Sequence, residues 1–537
     1  MASYRTSAAP MPIRIVMQDP GSRQTRRERH QEIAQARSHS ARFIGRKVRW
    51  DRAASWRRQL DSELSDHSTP SGKGSEDGED QEAPRTAVQD SLTQNKRDPF
   101  SPYSSPRGPT IFQELVEFAY DTLWPDIIEV SGNPAIHPGR REWRLAALEN
   151  PAVYHVHRAS VADFGKAIYH SDGLCDDFDK LRLFHHTEAL RLVRNMIQAT
   201  NQDSIPSDAL IMAVYNLSYQ GTGWDYRTVP ESHPPSPLFQ ARLMGRFGRK
   251  TAHYDHVRAL NALIKAKGGL EEIKLAGIAE MIWLWSLDYR SALTSTPVFP
   301  LLLMHETLLE AYDKRIKTLI REDDFQGMGS GFLVLPNSGI FGKLRDCLLC
   351  TAAITVDLEQ MRPYRLNCPN FRQLLRAARG CHHQLLSLPP DIEDSETDDT
   401  RGDRLLYQIS RLAGLLYHDI VIFPHVDTSG IKPLLARRLH DILVTRPPSL
   451  AAGASSGRYD DLVLWALLLG SIGSTWTKHR SWFVEQLHER SQQLGVDTFE
   501  QFKPVTSKYL WFENMDEPAL KTWMGRNKST DSSSNNG

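Results

Sequence analysis

From Thr110 onward, large apolar residues recur at three- and four-residue steps, the spacing that lines side chains along one face of a helix. Ile111, Leu115, Phe118 and Leu123 open the pattern. The same spacing predicts helices over Leu181–Ala199, Ser207–Tyr219, Phe299–Ile320, Leu344–Gln360, Phe371–Leu388, Leu405–Val421, Lys432–Val444, Asp460–Ile472 and Trp476–Gln493. Strand signals are few. The sharpest stretch is His256–Tyr289, where Val257, Leu260, Leu263 and Ile264 share a face and Lys265 and Lys267 place positive charge in the last turn. Gly268 and Gly269 then supply a left-handed helix cap, a conformation that costs other residues roughly 1–2 kcal/mol. Leu270 follows as the apolar residue that packs back over such a cap. Ile278, Met281, Ile282, Trp285 and Tyr289 make a second stripe, and Asp288 falls off it. The pair reads as a helical hairpin that needs further helices to cover it.

Two interruptions stand out, Gly327–Ile340, rich in glycine, and the acidic Asp391–Asp403; both read as surface excursions between helices. The N-terminal hundred residues are different in kind. Residues 23–58 hold twelve Lys and Arg against Glu28, Glu32 and Asp51, with too few apolar residues to fold alone. Residues 62–98 carry Ser-Thr-Pro-Ser-Gly and Glu-Asp-Gly-Glu-Asp runs that cannot repay their ordering entropy, so they read as a disordered acidic linker. The expected organisation is a disordered region over 1–105, a helical domain over 106–525 and a disordered tail over 526–537. The fold class is all-α, a large domain of packed helical hairpins.

Net charge is zero, 65 Lys and Arg against 65 Asp and Glu, but that balance hides the segregation just described and decides nothing about partners. The five cysteines, Cys175, Cys347, Cys350, Cys368 and Cys381, are odd in number and follow no signal sequence, which argues against a secreted disulfide framework. The longest apolar run, Leu462–Leu469, is far short of the roughly 20 residues that span a bilayer. A soluble intracellular protein with no membrane partner is expected.

Candidate chemistry is sparse. Cys347 and Cys350 have redox-motif spacing but sit in a helix-period run, so buried apolar cysteines are the expectation. His155 and His157, His185 and His186, and His382 and His383 lack companions at metal-ligand spacing and read as partly exposed helix histidines. Gly327–Gly331 lacks the lysine of a phosphate loop and reads as a flexible loop. No nucleophile elbow, paired glycosidase carboxylates or kinase set is present, and no cofactor or enzymatic activity is implied. Arg26, Arg27, Arg29, Arg46 and Lys47 belong to a basic run that reads as a solvated charge run, a nuclear-import signal or a phosphate contact. No leucine heptads follow it, which disfavours a leucine-zipper basic region.

The helix ending in Lys-Gly-Gly-Leu, Lys267–Leu270, followed by a tryptophan-bearing helix, resembles the middle-homology domain of fungal-specific transcription factors. Further stretches resemble the same family in order. These are Arg37-Ser38-His39, Asp98-Pro99-Phe100, Glu188–Leu192 followed by Ser207–Ile211, Arg411–Tyr417, Leu464–Gly470, Trp482-Phe483 and Leu510-Trp511. The zinc cluster that precedes this domain in regulators of the family needs six cysteines within about thirty residues, and this chain has none of that spacing. The resemblance implies a nuclear, transcription-regulator-like protein. It would act through its helical domain on the transcription machinery or another regulator, with at most weak nonspecific DNA contact. A cytoplasmic interaction scaffold is the alternative.

The basic run generates a direct expectation. Phosphate contacts carry no sequence information, so residues 1–60 should carry a reporter into the nucleus and bind duplex DNA weakly, without sequence preference, and less as salt rises. Alanine at Arg26, Arg27, Arg29, Arg46 and Lys47 should reduce both effects. A cytoplasmic reporter, or a salt-resistant preference for one sequence, contradicts this.

Overall fold

The computed structural model describes residues 110–124, 138–168, 175–199, 205–219, 232–241, 252–320, 327–361, 369–391, 398–445 and 459–525. The basic run with Arg26, Arg27, Arg29, Arg46 and Lys47, the acidic stretch 62–98 and the tail 526–537 lie outside them. The chain divides into two units, Met1–Leu115 and Val116–Gly537. Of the first, the described part is the beginning of α1 (Thr110–Phe118).

Helix covers 81% of the described residues and no strand occurs among them, so the fold is all-α. After α1 come α2 (Pro138–Glu149), α3 (Pro151–Ile168), α4 (Cys175–Ala199), α5 (Asp208–Ser218), α6 (Pro237–Ala241), α7 (Tyr254–Lys267) and α8 (Ile278–Leu293). They are followed by α9 (Leu303–Ile320), α10 (Gly339–Gln360), α11 (Pro369–Ser387), α12 (Asp398–Tyr417) and α13 (Ile431–Thr445). The chain closes with α14 (Asp460–Gly473), α15 (Arg480–Gln493), α16 (Phe499–Ser507) and α17 (Asp516–Gly525).

Neighbours in sequence pack as neighbours in space: α3 on α4, α5 on α7, α10 on α11, α12 on α13 and α14 on α15. The helix with the most apolar sequence is the most enclosed. Every residue of α14 from Leu462 to Gly473 is buried, and α12, α13, α15, α16 and α17 all pack against it. Trp465 within it donates its indole N–H to the Leu510 carbonyl at 3.0 Å, which ties the closing segment to the centre. On the other side, α8 packs against both α11 and α13.

Local signals account for several boundaries. The Ser207 hydroxyl accepts from the Leu210 N–H at the start of α5. Thr498 and Gln501 form a reciprocal capping box at the start of α16. At the end of α7, Gly268 adopts φ 103° and ψ 5°. Its N–H bonds to the Lys265 carbonyl at 3.1 Å, and the Gly269 N–H bonds to the Ile264 carbonyl at 3.0 Å. That bond pair is a Schellman motif, and Leu270 beneath it is buried.

The structure differs from the sequence reading in several places. On α8 the buried residues include Trp283 and Leu287, whereas Trp285 and Tyr289 are half-buried, because α8 is covered on more than one side and a single stripe does not describe it. Lys267 does more than place charge in the last turn. Its ammonium lies 2.5 Å from Asp208 and donates to the Pro206 carbonyl at 3.0 Å, stapling α7 to α5. The glycine-rich stretch is not a flexible excursion. Ser330–Val334 forms a 3₁₀ turn with Phe332 fully buried, and the Gly329 and Gly331 N–H groups bond to the Lys508 carbonyl at 2.9 and 3.0 Å. A Cβ on Gly331 would sit 2.7 Å from the Tyr509 ring, so glycine there permits the close approach. Finally, Asp398–Asp403 belongs to α12 and not to an acidic loop; residues 392–397 lie outside the described set.

Valine at Gly268 should cost about 1–2 kcal/mol, from the left-handed conformation alone. Lys267→Ala should cost a similar amount, about 1.5 kcal/mol, because it removes hydrogen bonds from a charged donor. Denaturant midpoints of the two variants check this, and a Lys267→Ala midpoint equal to wild type contradicts the staple.

Candidate buried polar site

Where the apolar run Tyr417–Val426 leaves α12, the backbone widens into a π-helical turn, His418–Ile422, all of it buried. Such turns hold side chains at angles an α-helix does not offer, and often mark functional positions. Two polar limbs meet here, one from His418 and one from its neighbour Asp419.

The Asp419 limb is ionic. Its Oδ1 lies 2.5 Å from His425 Nδ1, and its Oδ2 lies 3.3 Å from the ammonium of Lys432 on α13. Lys432 also reaches Asp427 at 2.8 Å and donates to the His425 carbonyl at 2.9 Å. The other nitrogen of His425, Nε2, faces Asp288 of α8 at 3.3 Å. Asp427 in turn accepts from the Ser232 N–H at 2.5 Å. The side chains of Lys432, Asp419, Asp427 and His425 are all less than 7% exposed. Burial opposes ionisation of Asp419, but the Lys432 ammonium and the His425 ring beside it outweigh burial and hold its pKa below the usual carboxylate value. Burial likewise pulls Lys432 down, and the carboxylates of Asp419 and Asp427 more than restore it, leaving its pKa raised.

The His418 limb is a run of hydroxyl and imidazole contacts. Ser291 Oγ of α8 lies 2.7 Å from His382 Nε2, and His382 Nδ1 lies 3.2 Å from His418 Nδ1. His418 Nε2 then lies 2.8 Å from Thr351 Oγ1. The chain is complete in either direction. If Ser291 donates at one end, Thr351 finishes on the Cys347 carbonyl at 2.8 Å. If Thr351 donates instead, Ser291 finishes on the Leu287 carbonyl at 2.8 Å. Each arrangement gives every ring nitrogen one role, donor or acceptor, with no net charge.

This geometry sets what the site can do. Ser291 and His382 stand at the distance of a nucleophile and its base, yet both are buried and the hydroxyl sits against a helix carbonyl. His425 has the Asp–His pairing of a triad, but its second nitrogen faces a carboxylate where a triad has a hydroxyl. Among the described residues, no group of three or more His, Cys, Asp or Glu is placed to hold a metal ion. Cys347, Cys350 and Cys381 are free and buried; the Cys381 sulfur lies 3.4 Å from Thr351 Oγ1 and 3.5 Å from the Cys347 carbonyl. No described helix is long and apolar enough to cross a membrane.

The paired histidines are buried, not partly exposed; His186 alone of the six is intermediate. Each buried ring has a specific partner. His155 Nδ1 meets His185 Nδ1 at 2.9 Å, the Tyr120 hydroxyl meets His157 Nδ1 at 2.7 Å, and His383 Nε2 meets the Phe299 carbonyl at 2.9 Å. Burial pushes His157 and His185 down to about 3, so both are neutral at pH 7. Gly268 and Gly269 lie in a separate region. The connection they begin is held by Asp208, which accepts from the Lys274 and Leu275 N–H groups at 2.8 Å each. Glu142 accepts from Ala276 N–H, and Trp143 donates to the Ala276 carbonyl, both at 2.9 Å. The sequence signal for the ionic limb was Asp288 lying off its apolar stripe, with His418, Asp419, His425 and Asp427 embedded in an apolar run.

Compared with protein-family models, curated proteins and solved structures, the chain matches none.

Removing Lys432 strands two buried carboxylates, so Lys432→Ala should cost about 3–5 kcal/mol. Asp419, with its folded pKa depressed, contributes stability above its unfolded value near 3.8 that is lost as pH falls through the folded value. Lys432, with its pKa raised, contributes below 10.5 and the contribution is lost as pH rises through the folded value. The wild-type advantage over Lys432→Ala should therefore shrink below about pH 4. Urea denaturation of both proteins across the acid range reads this. A constant difference contradicts the pairing.

Proposed function

We propose that the protein is a transcription-regulator-like protein of the fungal-specific type that acts through its all-helical domain, without a zinc cluster of its own. The observation that carries this reading is the order of the family-like stretches along a single all-α unit. Glu188–Leu192 lies on α4, Ser207 caps α5, and Gly268 caps α7 ahead of the tryptophan-bearing α8. Arg411–Tyr417 ends α12, Leu464–Gly470 is the enclosed centre of α14, and Trp482-Phe483 opens α15. Leu510-Trp511 is tied back to α14 through Trp465. Each stretch alone is a good amphipathic helix; their sequence along the chain is what supports the reading. The basic run at 23–58 supplies a route to the nucleus and a weak hold on phosphate.

Chromatin occupancy of the tagged protein, with and without residues 1–60, tests the reading. The full chain should occupy discrete loci, and the truncated chain should lose nuclear entry. A full chain that stays in the cytoplasm and occupies no chromatin contradicts it and favours the scaffold.

A further inference from the structure

We propose that His425 is a proton-dependent latch, held as an imidazolium that ties α8 to the connection between α12 and α13. Its two ring nitrogens face carboxylates from different elements, Asp419 of the π-helical turn at 2.5 Å and Asp288 of α8 at 3.3 Å. A neutral imidazole carries one N–H and one lone pair, so either tautomer turns a lone pair toward a carboxylate oxygen. An imidazolium carries N–H on both nitrogens and suits both neighbours. The Asp288 contact is the longer of the two, so its strength depends more on the ring's charge than the short Asp419 contact does.

The surroundings favour a second cation. Asp288, Asp419 and Asp427 bring three carboxylates, and Lys432 of α13 brings one ammonium. Tyr215 of α5 and Tyr219 at its C-terminal cap lie near Asp288 as phenols that burial keeps neutral. His233 lies near Lys432, Asp427 and Asp419, and burial pushes it down to about 4, so it adds no charge at neutral pH. Phe423 packs edge-on against the His425 ring at 5.3 Å.

Loss of the proton acts unequally on the two contacts. Asp419 stays beside Lys432, whereas the longer, charge-dependent contact to Asp288 is the one to weaken. The consequence is directional: α8 loosens from the α12–α13 connection as pH rises through the range where imidazole titrates. A group that binds its proton more tightly when folded contributes stability at low pH that is lost as pH rises. The neutral buried histidines His157, His185 and His305 contribute the opposite slope. The latch is therefore read as a difference between proteins, not from wild type alone.

Unfolding of the full chain in urea between pH 6 and pH 9 tests it, comparing wild type with Asp288→Asn and His425→Gln. The unfolding constant of wild type relative to Asp288→Asn should rise by about tenfold over that range, one pKa unit of linkage. His425→Gln should show the same relative slope. Should His425→Gln not fold, Asp288→Asn still decides, since it keeps the hydrogen-bonding shape and removes only a charge. Amide exchange in wild type, corrected for base catalysis, should also quicken selectively at Ser286–Tyr289 as pH rises. A wild-type to Asp288→Asn difference that is constant with pH, or Ser286–Tyr289 exchange that does not change, overturns the latch.

Discussion

One ammonium group sits where three parts of the chain must meet. Lys432 enters the core from α13, lies between the carboxylates of Asp419 in the π-helical turn and Asp427 in the following 3₁₀ turn, and donates to the His425 carbonyl between them. Burying these charges is expensive, and only mutual pairing with good geometry offsets it. That constraint leaves little freedom to the stretch His418–Gly430. It must leave α12 through a widened turn, present both acids to one side, and enter α13 with the lysine already in place. Apolar packing of α12 on α13 and α14 supplies the bulk stabilisation, but it is non-directional. The ionic cluster supplies the direction.

The same turn joins the ionic limb to one of hydroxyl and imidazole contacts. His418 and Asp419 are adjacent, yet their polar atoms lead apart, to Thr351 and Ser291 on one side and to Lys432 and Asp288 on the other. Both limbs end on α8, at Ser291 and at Asp288. That helix is thus fixed by hydrogen bonds to α11 and by charge to the α12–α13 connection, in addition to its buried Trp283 and Leu287. Aromatic rings separate the limbs: Phe423 stacks on His382 at 4.3 Å and turns its edge toward His425.

Helix content and the cap at Gly268 were legible in the sequence because each rests on local physics, period and backbone conformation. The stretches with mixed signals were not. Gly327–Ile340 has the composition of a loop, and only the Lys508 carbonyl and the Tyr509 ring, far along the chain, explain why it is ordered around Phe332. Lys267 reads locally as a last-turn charge only, because its partner Asp208 is distant in sequence. The histidine pairs carried no sign of burial, since a histidine's partner is often another ring or a carbonyl elsewhere. The ionic cluster left a faint trace, polar residues inside an apolar run, but nothing local paired Asp288 with His425 or Lys432 with Asp419.

Lys432 and Asp419 act as one unit and not as two independent polar residues. A double-mutant cycle with Lys432→Met and Asp419→Asn, read by urea unfolding, measures that directly. Each single change should be strongly destabilising, and the pair together should cost less than the sum by about 2 kcal/mol. Additive costs would contradict the account, because the helices would then be held by packing alone.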